Sequence, residues 1–179
     1  MGQYYKPINL LNLEWVYSHA YDNGLKLMEH SWVGNGFVGV VMNLLKPQGR
    51  WFKAPIVWCG DYYDGQGETP FYSMVSDDGD LKGLPSMPEE EQMNSILVNY
   101  SKKEYVVIGK APVTDMSEDF KWRVNPLPLL TACGNNRGGG DYREGNPDFD
   151  KVGIWAMDKL GILDHVPYGF WELKVGFQE

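Results

Sequence analysis

Cysteine, histidine and clustered positive charge are scarce in this chain. Two cysteines, Cys59 and Cys133, are too few for a disulfide framework. They and the three histidines, His19, His30 and His165, show no zinc-ligand spacing. Asp77-Asp78-Gly79-Asp80 lacks the spaced acids and closing glutamate of a calcium loop. No metal and no cofactor are therefore expected, a magnesium ion shared by Asp61 and Asp141 being the one arrangement left open. Lys102-Lys103 is the only adjacent basic pair, and the formal charge is −8. Binding to nucleic acid needs clustered Lys and Arg that displace counterions, so it is not expected. No apolar run is long enough to span a bilayer, and no apolar leader follows Met1. Reduced thiols in a cytoplasmic, membrane-free setting are the expectation.

Apolar and aromatic residues are plentiful. Hydrophobic residues make up 43%, enough for a packed core rather than a disordered chain. The 179 residues suit a single domain spanning 1–179. Seven Trp and eleven Tyr exceed what such a core needs, so some are expected to wall a cleft or an interface.

Patterning implies an α+β fold, a mainly antiparallel sheet packed on one or two helices with a long acidic loop. The opening YYKPINLLNLEWVYSH reads as two short strands, and Pro7 puts the first at an edge. Asn35 caps a helix over FVGVVMNLLK, where Phe37, Val40, Val41, Leu44 and Leu45 recur at helical spacing. IVWC reads as a buried strand, and SILVNYSKKEYVVIG as a hairpin turning at Ser101-Lys102-Lys103. Residues 64–94 read as a flexible loop or flap with a short strand at PFYSMV, and Glu89-Glu90-Glu91 starts a helix after Pro88. The prolines of VNPLPLLTACG confine any strand there to a short or edge one. VGIWAMDKLGI leans to strand, and YGFWELKVGF alternates as a final strand.

One phrase occurs twice. CGDYYDGQG runs from Cys59 to Gly67, and GGGDYREGN from Gly138 to Asn146. Three consecutive glycines lose much backbone freedom on folding, so an ordered triplet implies close approach of the backbone to something. Bare N–H groups at Gly139, with Arg137 alongside, suit a phosphate or carboxylate. The spacing matches neither the dinucleotide fingerprint nor the P-loop. Asp141 would accept from a sugar hydroxyl or orient Arg137, and Tyr142 would stack on a ring. Asp61 and Tyr62 are the counterparts in the first phrase. Lys26 and His30 converge whether LKLMEH is helix or strand, and together they suit an anion or a proton transfer. The competing explanation is a pair of ordinary turns, with Cys59 a small buried hydrophobe and Lys26 paired to Glu29.

The segments MGQYYK, NGLKLMEHSW, GRW, WCGDY, NYSKKEYV, NPLPLLTA and RGGGDY resemble, over nearly the whole chain, a family of small uncharacterised proteins of bacteriophage and bacterial genomes. The resemblance implies an origin in a phage or bacterial cell and an accessory rather than a virion role. It carries no catalytic residue. It also groups Gln3-Tyr4-Tyr5-Lys6 with the other motifs around one site or core.

The expected function is binding of a small anionic or nucleotide-like ligand in an aromatic-lined cleft. The expected site residues are Tyr5, Lys26, His30, Trp32, Asp61, Tyr62, Arg137, Gly139, Asp141 and Tyr142. The alternatives are an interaction module acting on a host protein, and a hydrolase or transferase using Asp61 or Asp141 as base and His30 as acid.

Overall fold

The apolar run IVWC becomes strand β3 (Ile56–Gly60), buried along its whole length because the sheet is covered on both faces. The computed structural model describes residues 2–63, 71–117 and 120–178. Strand β1 (Tyr5–Asn9) pairs antiparallel with β3, Tyr5 opposite Gly60 and Asn9 opposite Ile56. The two-residue β2 (Glu14–Trp15) covers only Ile8 and Asn9 on the other side of β1. Alternation explains how Pro7 is tolerated here. The Tyr5 N–H points away from β3, to Leu25 O, and position 7 faces the same way. The missing Pro7 N–H therefore removes nothing from the β1–β3 ladder.

Beyond β3 lies β8 (Ala132–Cys133), parallel to it, with Trp58 opposite Ala132 and Cys59 opposite Cys133. The sheet order is β2-β1-β3-β8. Period-two alternation splits this sheet. Tyr5, Ile56, Trp58 and Ala132 face the main core. Ile8, Trp15, Val57 and Cys59 face a smaller cluster on the opposite side.

The main core is built on α2 (Gly36–Leu44), most of whose side chains are buried. A helix apolar around most of its circumference must be enclosed. Its start is fixed as expected, the Asn35 side chain accepting from Val38 N at 3.1 Å. On its far side lies a second sheet, ordered β10-β5-β4-β9. Strands β4 (Ile96–Asn99) and β5 (Glu104–Val107) are the expected hairpin. Asn99 Oδ1 holds its turn, accepting from Ser101 N and Lys102 N at 2.9 Å each. Strand β9 (Leu160–Leu163) runs antiparallel to β4, and Ile162 N bonds to Leu45 O beyond α2. The two-residue β10 (Trp171–Glu172) is parallel to β5. A separate hairpin joins β6 (Val113–Ser117) to β7 (Phe120–Arg123).

The expectations for PFYSMV, for VGIWAM and for the tail need correction. PFYSMV contains a helical turn, α3 (Phe71–Met74), not a strand, and it lays Phe71, Tyr72 and Val75 on the smaller cluster. Of the stretch expected as a loop or flap, 64–70 lie outside the described residues, and within 71–94 Met87 and Gln92 are buried. Leu81 N bonds to Trp15 O, and α4 (Glu89–Met93) begins after Pro88 as expected. There Gln92, fully buried, accepts from Gly34 N and donates to Asn35 O. NPLPLL forms a helical turn, α5 (Pro126–Leu130), before the short edge strand β8. Both prolines fall in the first turn, where no intrahelical N–H is needed, and Asn125 caps it. VGIWAM is a run of turns held by Gly153 N to Leu129 O and Trp155 N to Leu130 O, and β9 starts only at Leu160. The tail pairs over two residues and then continues without strand pairing, with Phe177 buried. Among the described residues no helix is long and apolar enough to cross a membrane.

Candidate functional site

The two Gly-Asp-Tyr phrases do meet in space. They leave neighbouring strands, β3 and β8, paired at Cys59 and Cys133. The charge of Asp61 acts on Asp141, whose carboxyl burial already holds above its usual range. Between the loops runs the chain's own beginning. Gln3, fully buried, accepts on Oε1 from Tyr5 Oη at 2.7 Å and from Asn135 N at 3.2 Å. Asp141 is 3% exposed and accepts from Gly138 N at 2.8 Å. Asp61 clasps the same strand, accepting from Tyr4 N at 3.0 Å while its own N–H donates to Tyr4 O at 2.9 Å. Gln3 Nε2 and Asp141 Oδ1 are buried without a hydrogen-bond partner among the described atoms.

This packing accounts for Gly60 in the first phrase, where a Cβ would stand 2.8 Å from Gln3 Cδ, and for Gly138 in the second. A Cβ on Gly138 would stand 2.4 Å from Gln3 Cβ, and one on Gly134 would stand 2.3 Å from Tyr5 Oη. Gly139 bridges to Gly2. Gly140 has φ of +87° and lies on the Lys26 stem. The backbone approaches closely, as three glycines require, but what it approaches is the N-terminal strand.

The other expected site residues disperse. Lys26 pairs with Glu29 at 3.0 Å. His30 lies wholly inside the core: its Nε2 accepts from Trp58 Nε1 at 2.8 Å and its Nδ1 faces Gly24 O at 3.1 Å. Those partners require the neutral ring with the proton on Nδ1. Burial lowers its pKa to about 4, so it cannot serve as an acid near neutrality. Tyr142 is also core rather than a stacking platform, its hydroxyl bonded to Pro147 O at 2.6 Å. Arg137 and Tyr62 are exposed, away from this enclosed cluster's interior. Trp32 is 36% exposed and stands elsewhere, over a cleft.

That cleft, of about 340 Å³, is lined by Trp32, Val33, Glu89, Met93, Val113, Lys121, Trp122 and Arg123. The end of β7 meets the segment after α1 (Leu27–His30) here, through Val33 N to Arg123 O and the Trp32–Val124 bridge. Val113 and Arg123 are cross-strand partners and so share a face of the β6–β7 hairpin, as Lys121 does two residues before Arg123. Trp122 turns the other way, against the core. Arg123 has five donors. Its Nε is buried without a partner and its Nη1 meets only the Met93 sulfur, at 3.0 Å, a weak acceptor. Among the described residues it makes no ion pair, with Glu89 or any other acid.

Two further clefts differ in this respect. In one, of about 390 Å³ beside β5 and β10, Lys110 is paired with Glu172 at 2.9 Å. In the other, of about 290 Å³, Lys46 pairs with Glu91, and His165 with Asp164 at 2.6 Å. Only Trp32 of this cleft was singled out by sequence. The available signal was Lys121-Trp122-Arg123, a ring between two cations. No group of three or more His, Cys, Asp or Glu among the described residues is placed to hold a metal ion. No protein-family model, curated protein or solved structure matches the chain.

Two outcomes follow from the enclosed cluster and the buried ring. Gly140→Ala places a Cβ at positive φ, 2.7 Å from Lys26 Cβ, and is expected to lower unfolding free energy by roughly 2 kcal/mol or more. Gly145→Ala, also at positive φ but with open space around it, should cost only about 1 kcal/mol, read from urea midpoints at constant slope. For His30, the folded pKa lies below the unfolded one, so the unfolded chain binds more protons between them. Its contribution is complete above pH of about 6.5 and is lost as pH falls toward 4, on the order of 3 kcal/mol in total. His30→Gln should flatten stability against pH in that window relative to the native chain, and an unchanged slope contradicts the assignment.

Proposed function

We propose that the chain binds a small anionic ligand bearing a planar ring, nucleotide-like in its chemistry, in the cleft between Trp32 and Arg123. The observation that carries this reading is the Arg123 guanidinium, partly buried and without a carboxylate among the described residues, next to an exposed indole. Burying cationic donors without acceptors is costly, and a bound carboxylate or phosphate removes that cost with charge-assisted bonds. Trp32 supplies a face for a ring, and Val33, Met93 and Val113 supply apolar wall. A volume of about 340 Å³ falls within the range of small-ligand pockets. Lys121 adds positive potential to a chain whose overall charge is −8. The site therefore lies at Trp32 rather than at the glycine triplet, where the chain fills its own hollow.

Titration calorimetry against nucleoside monophosphates and aromatic carboxylates tests the reading. At least one class is expected to bind, with Arg123→Ala weakening it by about tenfold or more, the loss of one charge-assisted contact. Trp32→Ala should weaken it as well, while Arg137→Ala leaves it unchanged. Absence of heat across the panel, or binding lost on Arg137→Ala and kept in Arg123→Ala, overturns it.

A further inference from the structure

Three residues that the cleft does not use stand in a row across the first sheet. Lys6 on β1 is the register partner of Cys59 on β3, and Cys59 is the register partner of Cys133 on β8. Register partners project from the same face, and this is the face of the smaller cluster, where both cysteines pack. Above them lie Tyr63, Phe71 and Tyr72. The Lys6 ammonium sits 4.2 Å from the Trp15 ring centroid and 3.8 Å from that of Tyr72. Both thiols are free, Cys59 fully buried and Cys133 partly open to solvent.

We propose that Cys59 and Cys133 are an oxidisable dithiol, closed to a disulfide by hydrogen peroxide, with Lys6 as the positioning cation beside the buried sulfur. Adjacent strands lie about 4.8 Å apart. That is inside the window of about 4.4 to 6.8 Å that a disulfide tolerates between Cα atoms. The two sulfurs differ in access, which assigns their roles. Cys133 meets the oxidant: its sulfur attacks one peroxide oxygen, an S–O bond forms, the O–O bond breaks, and the thiol proton leaves with the departing hydroxide as water. The Cys59 sulfur then attacks the sulfur of the Cys133 sulfenic acid. An S–S bond forms, the S–O bond breaks, and hydroxide leaves with the Cys59 proton as a second water. Two thiols have lost two electrons and two protons, and one peroxide has become two waters.

The chemistry also sets the pace. Burial holds both thiols above their ordinary pKa, Cys59 at about 12, and Lys6 acts against that rise at Cys59. Thiolate is the attacking species, so closure is slow near neutrality and accelerates with pH. The result covalently ties β8, and the glycine loop that follows it, to the central strand.

Mass mapping of the full chain after hydrogen peroxide treatment, without reductant, tests the proposal. The expected product is monomeric, lighter by about two mass units, with one Cys59–Cys133 cross-linked peptide that dithiothreitol releases. Cys59→Ser should instead leave Cys133 as a sulfenic acid trapped by dimedone. Lys6→Met should slow closure several-fold and move the rate profile to higher pH, and Lys6→Arg should restore it. A Cys133-linked dimer, or Cys133 oxidised to sulfinic acid beside an untouched Cys59 in the native chain, overturns the pairing. A rate profile identical in Lys6→Met and the native chain overturns the role of Lys6.

Discussion

The structure turns on a close fit between the first strand and two glycine-bearing loops. Gln3 and Tyr5 wedge against Gly60, Gly134 and Gly138 at distances no Cβ would allow. Most polar atoms brought in by that wedge are answered locally, Tyr5 Oη by Gln3, Asn135 N by Gln3 and Gly138 N by Asp141, while Gln3 Nε2 and Asp141 Oδ1 have no partner among the described atoms. Inside a protein such a network is stronger than in water, and each unanswered member is costlier. Shape and hydrogen bonding therefore select one placement of β1 together.

That placement decides what both faces of the first sheet do. With Tyr5 turned inward beside Trp58, the main core closes over α2, and His30 is locked between the Trp58 indole and Gly24 O. With Lys6 and Ile8 turned outward, the opposite face collects Trp15, Cys59, Cys133 and the rings of α3. A one-residue slip of β1 would exchange these two sets. It would drive the Lys6 ammonium into the core, so the charge of that side chain helps to fix the register. The cleft at Trp32 sits at the edge of the main core, where the β6–β7 hairpin joins the segment after α1.

Much of this was legible where local chemistry and tertiary context agree. IVWC, the Asn35 cap and the Ser101-Lys102-Lys103 turn each carry a signal in consecutive residues, and each forms what that signal implies. PFYSMV misled because a short aromatic run does not distinguish a helical turn from an extended segment, and its outcome was decided by packing on the smaller cluster. VNPLPLLTACG holds only a short edge strand, as its prolines imply, after a helical turn capped by Asn125. The repeated Gly-Asp-Tyr phrase did announce two neighbouring loops. It could not announce that Gln3, more than 130 positions before Asn135, fills the space between them. Arg123 was silent for a similar reason: its lack of an acidic partner among the described residues belongs to the folded arrangement, not to any stretch of sequence.

Native-state hydrogen exchange examines the wedge most directly. The Asn135 and Gly138 amides belong to a loop by sequence but are bonded to the buried Gln3 and Asp141 side chains. They are expected to open with the same free energy as the Trp58 amide on β3, which bonds to Thr131 O. Exchange at the rate of an unstructured peptide at Asn135 and Gly138, while Trp58 stays protected, would contradict a fold organised around the first strand.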